Sequence, residues 1–280
     1  MRERTSEEND MKNKYSALDH TFVVCAYGES EYLEECIASI EAQNLKTNII
    51  VCTSTPSTFL ESLVAKHGLK LYINEKMAFK SNIAADWNFA VSMADTQLVT
   101  IAHQDDLYKP DFSEVILESL NHAEHPLIAF TDYAELRNGK EIGDTRNLKI
   151  KRLMLYPLRN SRLQGSVFVR RRILSFGSPI CCPSVTYVKQ NLPNQLFISG
   201  YKVSVDWETW ERFSRLEGDF VFVNSILMLH RIHEASETSR NIMDNNRTRE
   251  DYDMFCKFWP KWIAGFIEHW YKKGEMQNNL

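Results

Sequence analysis

The sequence has no apolar run approaching the roughly 20 residues needed to cross a bilayer. Its apolar stretches are short and suit buried strands. It has no basic excess either: 33 Lys and Arg stand against 37 Asp and Glu, a formal net charge of −4. That balance argues against nucleic acid as a partner, which calls for a basic face. There is no CxxC pair among the six cysteines, and adjacent Cys181-Cys182 is not a zinc-ligand spacing. The thiols read as structural ones in a reducing, cytoplasmic setting, with Cys25 and Cys52 inside apolar runs as small hydrophobes. The first nineteen residues carry no apolar segment for a secretion signal and read as a disordered polar tail, 1–19. No internal repeat or low-complexity segment occurs.

What is present is an ordinary globular composition, 44% hydrophobic and 25% charged. A chain of 280 residues is enough for one large α/β domain or two small ones. From Thr21 the pattern alternates. Strand-like runs at Thr21–Ala26, Asn48–Cys52, Leu69–Ile73 and Leu98–Ala102 are separated by helical spacing at Glu29–Gln43, Phe59–His67 and Ile83–Ala94. Gly68 is placed as a C-cap. This rhythm predicts a mostly parallel sheet flanked by helices, with ligands at the carboxyl ends of its strands. The polar segments there are Tyr27-Gly28-Glu29, Thr53-Ser54-Thr55 and His103-Gln104-Asp105-Asp106.

The second half is less regular. Leu127–Tyr133 is strand-like, and Asn138-Gly139 is a turn signal. Residues 143–165 read as basic and loop-rich. Val203–Arg215 reads as a helix, and Phe220–Val223 and Ile226–Leu229 as strands. The stretch Asn241–Lys273 reads as helical with a break near Pro260.

Asp105 and Asp106 follow a buried strand directly. Adjacent carboxylates repel unless a cation or solvent neutralises them. A hard divalent ion with oxygen ligands meets that need and commonly also holds substrate phosphates. The plainer alternative is a charge cluster ahead of the helix near Pro110.

Here several segments together resemble one family. Val23–Ile40 is similar to the opening strand and Tyr-Leu-x-x-Cys helix of family 2 glycosyltransferases. Asp86–Ala90 stands where that family has its Asn-x-Ala helix. His103-Gln104-Asp105-Asp106 matches its aspartate motif, Val205–Trp210 its acidic-aromatic motif, and His230–Thr238 its Tyr-Arg-Ile-His-x-x-Ser segment. The resemblance implies a GT-A-like α/β fold, Rossmann-like, over residues 20–240. Residues 20–125 would be the nucleotide-binding half, 126–240 the acceptor half and 241–280 a C-terminal helical extension. It implies metal-dependent, inverting transfer of a sugar from a nucleoside diphosphate sugar, UDP-sugars favoured, to a glycan or other hydroxyl acceptor. Surface glycan assembly is the implied setting.

By the same resemblance, Ala26, Tyr27, Glu29 and Asp86 line the nucleoside pocket and Asp105 faces the ribose or supports the loop. Asp106 holds Mn²⁺ or Mg²⁺. Arg231 and His233 hold the donor phosphates. Asp206 is the general base, with an N-cap as its alternative role. Glu208 is a competing carboxylate. The chain departs from the family at Thr53-Ser54-Thr55-Pro56, where an Asp usually holds the base, and at Val205, where a Glu usually stands. A nucleotidyltransferase would want a Gly-rich basic loop after the first strand, and Tyr27–Ser30 has one Gly and no Lys or Arg. A catalytically silent sugar-nucleotide-binding protein stays open as the other reading. Two further features carry alternatives. Arg170-Arg171-Arg172 is either a solvated basic face or an attractor for an anionic acceptor. The aromatics from Phe255 to Trp270 either pack on the domain, lie on the inner face of a membrane, or form a dimer contact.

Overall fold

The computed structural model describes residues 14–80, 82–198, 200–233 and 246–278. The expected alternation is present: β1 (His20–Ala26), α1 (Leu33–Glu41), β2 (Asn48–Thr53), α2 (Thr58–Lys66), β3 (Lys70–Ile73), α3 (Ile83–Met93) and β4 (Leu98–His103). These four strands pair in parallel in the order β3-β2-β1-β4. Gly68 closes α2 at φ +64°, the left-handed conformation that glycine adopts without strain.

Beyond β4 come β5 (Leu107–Tyr108), α4 (Phe112–His122), β6 (Pro126–Arg137) and β7 (Lys140–Ile142). β6 and β7 form a hairpin whose turn holds Asn138 and Gly139 at φ 49° and 73°. Then follow α5 (Arg146–Leu155), α6 (Ser161–Gln164), α7 (Val167–Ile173), β8 (Val185–Val188), α8 (Val205–Phe213) and β9 (Asp219–Arg231). The sheet continues as β8-β6-β9-β5. β8 runs antiparallel to both β4 and β6, while β6 and β9 are parallel. The sheet is therefore parallel in its first half and mixed in its second.

Strand β1 shows how the layers form. Phe22, Val24 and Ala26 join the core under α1, α2 and α4, while Val23 joins the opposite core with residues of α3 and α8. A strand buried on both faces reads as a continuous apolar run, which is why Thr21–Ala26 shows little alternation. Each fully buried Val, Leu, Ile or Phe stabilises by about 1.5–3 kcal/mol.

Several expectations are corrected. The polar tail ends sooner than Asp19. Tyr15 is buried, and its backbone exchanges two hydrogen bonds with the Asn121 side chain. Residues 143–165 are largely helical, because Leu148, Leu155 and Leu158 bury into the cores at helix-compatible spacing. The two late strands are one, β9, which keeps pairing with β6 across register shifts near Thr131–Tyr133. The arginine run is neither a solvated face nor a free anion trap. Arg170 is fully buried and donates to the Leu216 carbonyl, Arg171 pairs with Glu211, and Arg172 stacks on Phe168 and Trp259.

The C-terminal segment is broken at Pro260, as expected, into α9 (Asn246–Cys256) and α10 (Lys261–Asn278). Its aromatics divide. Phe255 is fully buried and meets Tyr271 edge-on, whereas Trp262, Phe266 and Trp270, one turn apart, are 78%, 65% and 58% exposed. Among the described residues no helix is long and apolar enough to cross a membrane.

Candidate active site

A cleft of about 560 Å³ opens at the carboxyl ends of β1 and β4 and extends toward β6, α5, α8 and β9. Its first wall is built by loop residues that leave the strands. The Tyr27 backbone N–H donates to Gln104 Oε1, and Gln104 Nε2 donates back to the Tyr27 carbonyl. This two-bond clamp ties the first loop to the acidic motif. Tyr27, Glu29, Gln104, Asp105 and His233 line the cleft.

The acidic turn divides its two carboxylates. Asp105 lines the cleft and accepts from His233 Nε2 at 3.0 Å. Burial works against its charge, but the neighbouring His103, the His233 hydrogen bond and His230 outweigh it and hold the carboxyl below its usual range. Asp106 is fully buried behind the wall. Its Oδ1 accepts from His230 Nδ1 and from the Arg231 backbone N–H, both at 2.9 Å. Its Oδ2 has no hydrogen-bond partner and lies 3.8 Å from His103 Nδ1. Ligand atoms of His103, Asp105 and Asp106 all fall within 4.8 Å of one another. A buried carboxylate oxygen without a donor is costly unless something positive reaches it, so this group suits a cation. The metal expected on Asp106 alone is thus better matched by the group, with Asp105 at the cleft.

Arg231 is the clear correction. Its Nε donates to the Asp105 carbonyl, its NH2 pairs with Glu35 at 2.6 Å, and its guanidinium sits 4.3 Å from the Tyr32 ring centroid. It does not line the cleft. Alternation along β9 explains this, since neighbouring residues point to opposite faces. His230 takes the inward position and lines the cleft. Burial alone would lower its pKa, but Asp106, with Asp105, raises it above the usual histidine value. The segment after His233 lies outside the described residues up to Asn245, so Ser236 and Thr238 are not placed.

Asp206 lines the opposite side of the same cleft, in the first turn of α8. The cap position belongs to Ser204, so the N-cap alternative for Asp206 falls away. The turn is fixed from afar: Glu250 of α9 accepts the backbone N–H groups of Lys202, Val203 and Ser204 at 2.8, 2.8 and 2.9 Å. Glu208 is not a competitor. It is 1% exposed and neutralised by Arg212 and Lys257.

A smaller recess of about 80 Å³ lies beside Tyr27 and is lined by Ala26, Ser54, Asp86 and Phe89 among others. Asp86 accepts from Ser54 Oγ at 2.9 Å and Asn74 Nδ2 at 3.0 Å. Burial raises its pKa, and these two hydrogen bonds oppose the rise. The strand end that lacks the family's Asp therefore still faces a carboxylate, supplied by α3. On the same helix Asn88 is a tie: its side chain accepts from Leu196 N and Phe197 N and donates to the Phe197 carbonyl.

Sequence reasoning missed Tyr133, Asn147, Lys151, Cys181 and Cys182, all of which line the cleft. Only hindsight about β6 separates Tyr133 from a core aromatic. Lys151 and Asn147 were hidden by reading their helix as loop.

Comparison with known proteins agrees with this geometry. A model of glycosyl transferase family 2 matches residues 21–190. Glycosyltransferase GlyG of Streptococcus pneumoniae serotype 4 (strain ATCC BAA-334 / TIGR4) is 21% identical over 248 residues, covering 84% of this chain and 77% of that protein. S. aureus TarS, solved with UDP-GlcNAc, superposes with a TM-score of 0.59 at 13% identity, over 90% of this chain and 70% of the other. The mannosyltransferase PcManGT from Pyrobaculum calidifontis, solved with GDP-Man and Mn²⁺, gives 0.56 at 15% identity, over 93% and 70%. The GT-A fold is shared, and the family match spans β1 through β8; the chain belongs to glycosyl transferase family 2.

Proposed function

We propose that the protein transfers a sugar from a nucleoside diphosphate sugar to an acceptor hydroxyl, with inversion at the anomeric carbon. One observation carries this reading. A single cleft is lined by His103 and Asp105 at the end of β4, with Asp106 buried behind them to complete a cation-suited group, and by a separate carboxylate, Asp206, on α8. The nucleoside lies against Tyr27, Glu29 and the Asp86 recess, and the diphosphate lies at the β4 end. The acceptor oxygen attacks the anomeric carbon from the face opposite the diphosphate. Its proton passes to Asp206, the new carbon–oxygen bond forms, and the bond to the diphosphate breaks with its electron pair leaving on the nucleotide. A positioned carboxylate base accelerates such a step by typically about 10²–10⁴-fold.

A divalent ion would be held by His103 and Asp105, with the unpaired oxygen of Asp106 behind them. One imidazole among carboxylates suits Mn²⁺ better than Mg²⁺, which prefers oxygen alone. When bound, the ion supplies positive charge to the departing diphosphate. The structural relatives carry different bases, uridine in S. aureus TarS and guanosine in PcManGT, so the base is a matter for experiment. The family resemblance favours surface glycan assembly on the cytoplasmic side of the membrane.

The test is a thermal-shift panel of UDP, GDP, ADP, CDP and dTDP with and without Mn²⁺. A ligand that binds only the folded state raises the melting temperature. The expected result is a metal-dependent rise with one nucleotide, lost in Asp105→Asn. Silence across the panel at millimolar ligand would shift the reading to a protein that does not use nucleotide sugars.

A further inference from the structure

Lys151 is a cleft residue that the donor site and the base leave unused. It sits on α5, half-buried, and lines the cleft. Its ammonium donates one hydrogen bond, to the Tyr133 hydroxyl at 2.9 Å. Among the described residues no carboxylate comes within ion-pair distance of it. Its neighbours are differently placed. Arg152, the next residue, is consumed by Asp132 and by the carbonyls of Gly143 and Tyr133. Arg137 neutralises Glu135, a cleft-lining carboxylate of β6. The cation is therefore half-buried at the cleft wall with no carboxylate to neutralise it, and an anion entering the cleft would meet it.

The groups around it complete a donor set. An ammonium has three N–H donors, and two remain. The Tyr133 hydroxyl accepts from Lys151, so its own proton is left to give. Asn147, one turn earlier on α5, also lines the cleft, and its side chain makes no hydrogen bond among the described residues. The location is on the acceptor side. Tyr133 comes from β6 and Lys151 from α5, both beyond the parallel strands that would hold the nucleotide.

We propose that Lys151, with Tyr133 and Asn147, forms an oxyanion subsite for the acceptor, so that the acceptor carries a phosphate or a carboxylate near the hydroxyl that receives the sugar. This rests on the reading of the β4 end as the donor site.

The test titrates methyl phosphate and, separately, acetate into the full chain, both nucleotide-free and saturated with UDP and Mg²⁺, by calorimetry. Wild type is expected to bind one probe saturably in both states, and the tighter probe identifies the class of anion. Lys151→Met should weaken that binding by roughly 10- to 100-fold. Tyr133→Phe should weaken it by less, and Lys151→Arg should retain it. Equal binding by wild type and Lys151→Met overturns the proposal, as does no saturable binding by wild type. Loss of UDP affinity in a folded Lys151→Met protein also overturns it, because Lys151 would then serve the donor diphosphate. The nucleotide-free arm reads Lys151 even if UDP fails to bind, and that failure would count against a uridine donor alone.

Discussion

The two halves of the cleft are built on different plans. On the proposed donor side the contributing segments, Tyr27 to Glu29 and His103 to Asp106 with Thr53 and Ser54 at the adjoining recess, lie at the carboxyl ends of parallel strands. Position in the chain and position in the site are there nearly the same thing. On the acceptor side the wall draws on β6, α5, the Ser178–Pro183 segment, α8 and β9. These pieces are far apart in sequence and are held by long-range ties, of which Glu250 on the backbone ahead of Asp206 is the clearest. A regular sheet positions the residues of the proposed donor side, whereas individual buried contacts position those of the proposed acceptor side.

The sharpest way to break this division is at Asp206. Asp206→Asn keeps the shape of α8 and removes the proton acceptor. The expected loss is about 10²–10⁴-fold in kcat, with nucleotide affinity unchanged, read by initial rates beside nucleotide titration. A parallel loss of nucleotide binding would mean that the two walls act as one. Normal turnover would remove Asp206 from the base role.

The same division explains what the sequence made legible. The fold of the first half was readable because βα alternation leaves a periodic record, and the acidic turn was readable because two adjacent carboxylates at a strand end are unusual. Arg231 was misplaced because a motif gives the residue type but not the face: one step along β9 exchanges His230 for Arg231 in the cleft. Lys151 escaped because a basic, proline-containing stretch looks like loop until Leu148, Leu155 and Leu158 are seen to be buried. No local pattern marks Glu250, whose role is written only in a contact made some 46 residues from Ser204.

A second difference lies in how each half treats its histidines. On β9, His230 is held above the usual value despite burial by Asp106, which reaches it from the end of β4. On the donor side His20, fully buried in β1 between Thr47 and Thr100, is lowered by burial from 6.5 to about 3. Between those values the unfolded chain binds a proton that the folded chain refuses. Stability from His20 is therefore complete above pH 6.5 and erodes as pH falls toward 3. At pH 5 the erosion amounts to about 2 kcal/mol. Denaturant melts at pH 7 and pH 5 should show that His20→Gln loses about that much less than wild type over the interval. Equal losses would place the acid sensitivity elsewhere.

The smallest expected effect bears on the base recess. Asp86 brings a carboxylate from α3 to the strand end at Thr53-Ser54-Thr55-Pro56, a turn with no acidic residue, and each of its oxygens already accepts one hydrogen bond. A carboxylate still has lone pairs for a base that offers a ring N–H, as uracil and guanine do and as cytosine and adenine do not. Asn at this position presents both an acceptor and a donor. Asp86→Asn should therefore weaken the preferred nucleoside diphosphate by about tenfold and narrow the gap between UDP and CDP, or between GDP and ADP. Uniform weakening of all nucleotides would instead make Asp86 a strut for Asn74 and Ser54. Methyl phosphate binding at Lys151 should be unaffected in either case, because the recess and α5 belong to opposite walls. Movement of both affinities together would show the donor and acceptor halves to be one coupled site.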